Sequence, residues 1–136
     1  MVLKFSFRTE KSYILGIIRR PVAQVFFWSK KDKIWSELWM IVDSGADYTL
    51  LPRFMADKLN VNLEKDCKIF STYGVGGGER VYFLPKIKVK LGDWKRMIPV
   101  GFLERNEIPP LMGRQLFLET FETLFSSNHT ISFSVK

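Results

Sequence analysis

Apolar and polar residues alternate with a period of two along most of this chain, the spacing of strands that bury one face and wet the other. On that basis residues 3–7, 13–18, 22–28, 35–42, 68–72, 80–91 and 95–103 read as strands, and 130–135 as a last one. Lys30-Lys31-Asp32-Lys33 and Leu91-Gly92-Asp93-Trp94 are polar or glycine-containing breaks between apolar runs, and predict hairpin turns. Two stretches change period. Residues 53–60 follow Pro52, which suits a first helical turn, and Leu51, Phe54, Met55 and Leu59 fall at helical spacing. Residues 114–125 set Phe117, Phe121, Leu124 and Phe125 on one helical face, with Glu119, Glu122 and Thr123 on the other. The expectation is one mostly β domain over residues 1–136, with a short helix in mid-chain and a second near the C-terminus.

Composition narrows the function classes. A chain of 136 residues can bury roughly two-thirds of its unfolded surface. Its 46% apolar and 15% aromatic content excludes disorder and leaves aromatic surface for a subunit interface. Cys67 is the only cysteine and His129 the only histidine, so an internal disulfide, a cysteine-bound zinc and a Ser–His triad all lack parts. No metal and no cofactor are expected, and His129 reads as a loop residue after Ser126-Ser127-Asn128. The formal charge of +7 invites a nucleic-acid reading. Lys86, Lys88 and Lys90, however, alternate with Ile87, Val89 and Leu91, as on the wet face of a strand, and no nucleic-acid partner is expected. The first residues lack the apolar run of a signal peptide, and no stretch approaches the ~18 apolar residues of a membrane span. A soluble, cytoplasmic protein without a membrane partner is the expectation.

Three segments carry candidate chemistry. In Trp39-Met40-Ile41-Val42-Asp43-Ser44-Gly45-Ala46-Asp47 an apolar strand ends abruptly in an acid, a hydroxyl, a glycine and a second acid. Four apolar residues before Asp43 put its carboxylate at the edge of a buried region, and Gly45 lets backbone N–H groups approach it. Taken alone the triplet is weak, because an acidic turn after a strand is common. The second segment, Tyr73-Gly74-Val75-Gly76-Gly77-Gly78-Glu79, lies between strand-like runs and reads as a hairpin tip free of obstructing side chains. A dinucleotide loop would need glycine where Glu79 stands and a helix afterwards, whereas Val81-Tyr82-Phe83-Leu84 continues as strand. The third is Pro110-Leu111-Met112-Gly113-Arg114-Gln115. There Gly113 allows close passage beside another backbone, and Arg114 offers a planar fork for a carboxylate.

In this order and spacing the three segments resemble the retropepsin family of aspartic proteases, over about residues 34–125. The resemblance implies a closed, barrel-like acid-protease fold and peptide-bond hydrolysis by a homodimer acting on a peptide or protein substrate. It implies Asp43 as the catalytic acid, with Ser44 and Gly45 completing its loop. Ser44 stands where the family usually has Thr; it keeps the hydroxyl and loses the methyl group. Ala46 and Asp47 would contact substrate main chain, and Asp47 would pair with Arg114. Tyr73, Gly74, Val75, Gly76, Gly77 and Gly78 would form a flap over the substrate, while Leu111, Met112, Gly113 and Arg114 would brace the catalytic loop. In viral members both chain ends pair across the dimer, and residues 2–7 and 131–135 are the candidates for that here. The alternative is a module of the same fold that dimerises or binds peptides with little or no cleavage. The strands before Asp43 that viral members lack have no role the resemblance assigns.

Overall fold

The computed structural model describes residues 2–74 and 77–135. Strands β4 (Val22–Ser29) and β5 (Ile34–Val42) pair antiparallel from Val22↔Ile41 to Ser29↔Ile34. Alternation along β4 buries Ala23, Val25 and Phe27, as its sequence pattern requires. The 30–33 turn is closed by Lys33, which takes a left-handed φ of 56° and donates its N–H to the Ser29 carbonyl at 2.8 Å. Beyond β5 come β6 (Thr49–Leu51), β7 (Lys68–Gly74), β8 (Gly77–Leu91), β9 (Trp94–Leu103) and β10 (Leu111–Met112). They run in the order β4-β5-β10-β6-β9-β8, with β8 pairing back to β4, so the sheet closes into a ring.

Closure depends on an irregularity in β8. This strand pairs with β7 along its first half, from Gly77 to Phe83, and meets β4 only at Val89 and Lys90. Between Leu84 and Ile87 its register against β9 slips by one residue, at Pro85-Lys86. Proline has no N–H for the ladder, and the extra residue bends and twists the strand toward β4. The interior of the ring is filled by Phe27, Met40, Leu51, Val89, Ile98 and Phe102.

The mid-chain helix forms as expected, as α1 (Phe54–Lys58), with Met55 and Ala56 buried. A second short helix follows, α2 (Leu63–Asp66), where Asn62 accepts hydrogen bonds from the Glu64 and Lys65 N–H groups. It is too short for periodicity to announce it, and its only signal is the cap.

The expected C-terminal helix is not there. Leu118–Thr120 make a single 3-10 turn, and Phe121–Phe125 form strand β11, which pairs along its whole length with β12 (Thr130–Val135). Leu116 sits at φ 57°, a left-handed conformation that stops a helix at its first turn. Phe117 and Phe121 do share a buried site, but they do so across the turn, where Phe117 stacks on Trp94 at 5.4 Å and Phe121 packs against it at 4.9 Å. Helical spacing of the two rings was therefore coincidental. Residues 13–18 also depart from the single strand expected. They form the turn and one arm of a ribbon made by β2 (Arg8–Ser12) and β3 (Gly16–Arg20). Strand β1 (Val2–Ser6) pairs with β12 of its own chain, so the two terminal strands lie side by side in one sheet.

His129 lies in the turn between β11 and β12, where its carbonyl accepts the Phe7 N–H at 2.9 Å. Cys67 follows α2 and packs against the core. Burial, with a smaller contribution from the Asp66 charge, pushes its thiol up to about 11. Only the thiolate alkylates, so at pH 8 iodoacetamide should modify Cys67 on the order of a hundredfold more slowly in the folded protein than in urea. Mass spectrometry over a time course checks this; equal rates in the two states would show the thiol to be open to solvent. No helix among the described residues is long and apolar enough to cross a membrane.

Candidate active site

Strand β5 delivers Asp43 to the mouth of the barrel, where Val42 is buried and Asp43 is half-exposed. The loop after it is tight. Gly45 donates its N–H to Asp43 Oδ1 at 2.9 Å, and Ala46 donates to the Asp43 carbonyl at 3.2 Å. A Cβ on Gly45 would stand 3.2 Å from the same Oδ1, so glycine keeps the carboxylate seated over the amide. Among the described residues Oδ2 receives no hydrogen bond. One carboxylate oxygen is thus fixed and the other is free to meet something from outside.

The segment that begins with β10 runs beside this loop along its whole length. Leu111 and Met112 pair in parallel with Ile41 and Val42, and the Met112 carbonyl accepts the Asp43 N–H at 3.0 Å. Further on, Arg114 N–H donates to the Ala46 carbonyl and Gln115 N–H to the Asp47 carbonyl, at 3.0 and 2.8 Å. Between these contacts Gly113 crosses the Tyr48–Thr49 backbone so closely that an added Cβ would lie 2.2 Å from the Tyr48 carbonyl carbon. Its N–H donates to the hydroxyl of buried Thr49 at 3.2 Å.

Arg114 closes the arrangement from outside. Its guanidinium donates Nη1 to the Ser44 carbonyl at 2.8 Å and Nη2 to the Asp47 carboxylate. Both side chains are largely exposed, so the ion pair itself contributes little to stability. Its effect is geometric: a planar fork spans two acceptors that a lysine ammonium cannot hold together. Arg114→Lys should therefore change unfolding stability by less than about 1 kcal/mol. Amide exchange at Gly45 and Ala46 should rise roughly tenfold while core strands stay protected. Loop amides that exchange as in the wild type would show that β10 alone holds the loop.

The expected site residues fall into two groups. Asp43, Ser44, Gly45, Ala46 and Asp47 are brought together with Leu111, Met112, Gly113 and Arg114 by the contacts above. Tyr73, Gly74, Gly77 and Gly78 lie instead on the β7–β8 hairpin, where Tyr73 pairs with Gly78 and Gly74 with Gly77. Val75 and Gly76 lie outside the described residues. The base of this hairpin touches the acid loop through side chains that the sequence did not single out. Tyr48 packs against Phe83 at 5.9 Å and Phe70 at 6.4 Å, and those two rings lie 6.1 Å apart. Burial, and then the Asp47 charge beside it, push the Tyr48 hydroxyl above the usual phenol range. Tyr48 was hidden because it follows Asp47 immediately and belongs to none of the three segments that carry candidate chemistry. Thr49, a polar residue inside Tyr48-Thr49-Leu50-Leu51, carried a faint signal.

Among the described residues, no group of three or more His, Cys, Asp and Glu side chains is arranged to hold a metal ion. No protein-family model matches the chain, and no curated protein does. Among solved structures it is similar to the crystal structure of a retropepsin-like aspartic protease from Rickettsia conorii, with a TM-score of 0.70 over 97% of this chain and 98% of that one. The chain has a retropepsin-like fold. Sequence identity to that protein is 17%, so the likeness is one of architecture. Within a retropepsin-like barrel, Asp43 stands at the end of a strand and Gly113 crosses directly behind its loop.

Proposed function

We propose that the protein is an aspartic endopeptidase active as a homodimer, in which Asp43 of each chain supplies half of the catalytic pair. The observation that most supports this is the state of Asp43. Its loop is braced on one side by β10 and Arg114, yet one carboxylate oxygen has no donor among the described residues. A structural acid in an ordinary turn would have no need of such bracing. The sequence contains a single Asp-Ser-Gly, so the second carboxylate comes from a second copy related by a twofold axis.

The chemistry follows from like charges at short range. Two carboxylates about 3 Å apart cannot both ionise, so the pair shares one proton and titrates as a unit. The ionised member takes a proton from a water between them while that water adds to the scissile carbonyl carbon. The protonated member gives its proton to the carbonyl oxygen, and a tetrahedral diol forms without a covalent enzyme intermediate. Ala46 and Asp47 would line the substrate main chain, and the β7–β8 hairpin would close over it as a flap. A peptide-binding or dimerisation module of the same fold is the competing reading, and no feature of the acid loop favours it.

A mixed peptide library incubated with the protein between roughly pH 3 and pH 7 tests the proposal, with cleaved ends read by mass spectrometry. New termini at defined side-chain preferences are expected. A stable dimer that cleaves nothing across that range would replace the peptidase with the module.

A further inference from the structure

The β2–β3 ribbon is not explained by the barrel. It is a separate two-stranded sheet, with cross-strand pairs from Arg8↔Arg20 to Ser12↔Gly16. Its tip carries Tyr13, Ile14, Leu15 and Ile17 at relative exposures of 106, 88, 73 and 60%. Three consecutive large apolar side chains on one exposed turn, with Ile17 just beyond it on β3, are not scattered surface hydrophobes; contiguous patches of this kind mark interaction surfaces. Among the described residues no other strand or helix pairs with the ribbon or packs extensively against it. An isolated two-stranded hairpin is marginal in water, and a third strand or a packed layer is what makes one stable.

The base of the ribbon, by contrast, is built to hold a direction. Glu10 accepts from Arg8 Nε at 2.9 Å and from Arg20 Nε at 3.1 Å, tying the two strands together across the Arg8↔Arg20 end. The hydrogen bond from Arg8 is the main reason its carboxyl sits below the usual range. The next residue after β3 is Pro21, whose carbonyl accepts the Val42 N–H at 2.9 Å. The ribbon therefore leaves the barrel beside the residue that precedes Asp43. Its strands extend about 17 Å at ~3.3 Å per residue.

We infer that the β2–β3 ribbon is a dimer arm, whose Tyr13–Ile17 tip docks on a second copy of this chain. The inference rests on the peptidase reading in one respect: that reading places the twofold axis at Asp43. An arm rooted beside that axis reaches the partner, and symmetry supplies two arms per dimer. Two such tips bury on the order of 1,000 Å² with their receiving surfaces, which alone approaches the size of a specific interface. It also gives the residues before Asp43 a task, since β1 and β12 already pair within one chain. A lipid surface is the weaker match: Arg8 and Arg20 sit at the base and are engaged by Glu10, which leaves Lys11 and Arg19 as the cations nearer the tip.

Sedimentation equilibrium of the full chain tests the arm. The triple variant Tyr13→Ser, Ile14→Ser, Leu15→Ser should dimerise at least tenfold more weakly than the wild type, and Asp43→Asn should dimerise as the wild type does. Circular dichroism establishes that the variant is folded; if it is not, the single change Ile14→Asp takes its place with the same expected loss. A wild type that dimerises through the tip but cleaves no peptide leaves the arm standing and removes the peptidase. A tip variant that dimerises and cleaves normally removes the arm alone. A wild type that stays monomeric at every concentration overturns the arm. So does tip-dependent binding to phosphatidylserine vesicles with dimerisation unchanged.

Discussion

Replacing Asp43 by asparagine should lower kcat/KM for any cleaved peptide by at least about a thousandfold, the range that general acid–base groups contribute. The substitution is close to isosteric. The amide oxygen can still accept the Gly45 N–H that now meets Oδ1, and the backbone contacts to Met112 and Ala46 do not involve the side chain. Fold and dimer should persist, with the thermal midpoint within a few degrees of the wild type. What is lost is the ability to take a proton from water and return one to the carbonyl oxygen. On the proposed mechanism each chain supplies one acid, so a mixed dimer of one wild-type and one Asp43→Asn chain should be as inactive as the doubly substituted one. Activity near half in the mixed dimer would mean that each chain works alone, and the shared-proton mechanism would have to be abandoned. Retention of more than a tenth of wild-type kcat/KM in the full variant would do the same.

The sequence exposed the acid loop and its brace far better than it exposed the edges of the fold. Strand alternation is strong where one face is buried against a closed barrel, which is why β4, β5 and β9 are legible to within a residue and β8 is missed only in its first three residues. The retropepsin-like order of segments was legible because local backbone geometry constrains it: Asp43 at a strand end, Gly45 where an amide reaches a carboxylate, Gly113 where two backbones cross. The C-terminal region lacked such constraints. Phe117, Phe121, Leu124 and Phe125 fit a helical face, but tertiary contacts decide otherwise: Trp94 takes the first two rings and β12 supplies a ladder for the rest. The β2–β3 ribbon was misread for a different reason. Its apolar tip, Tyr13 to Ile17, looks like the middle of a buried strand because exposure is not written in the sequence. Tyr48 and Thr49 escaped notice because their roles depend on Gly113 and Phe83, residues far along the chain that meet them only in the folded state.

Gly113→Ala should be the most destabilising single methyl addition in the protein. Gly113 is not in the left-handed region, so backbone conformation is no obstacle to alanine there. The obstacle is space. The new Cβ would lie 2.2 and 2.3 Å from the Tyr48 carbonyl carbon and oxygen and 2.7 Å from the Thr49 nitrogen. All three are backbone atoms of the segment that joins the acid loop to β6, and none can rotate away. Overpacking of a core costs about 1–3 kcal/mol when side chains can adjust, and a clash with fixed backbone belongs at or above the top of that range. For a chain of this length that corresponds to a fall of roughly 10 °C in the thermal midpoint. Gly101→Ala is the matched control. Its Cβ would meet side-chain atoms only, at 2.7 Å from Val81, 2.8 Å from Tyr48 and 3.1 Å from Leu50; buried Val81 is stiff, so this change also costs stability, but side chains can yield where crossing backbone cannot. Urea unfolding should therefore rank Gly113→Ala well above Gly101→Ala in destabilisation. Any folded remnant of the Gly113 variant should also lose the slow amide exchange of Gly45, because the crossing strand is what holds the Asp43 loop. Equal stability of the two variants would show that the crossing can open by the needed ångström without cost, and that the loop is braced from the Arg114 side instead.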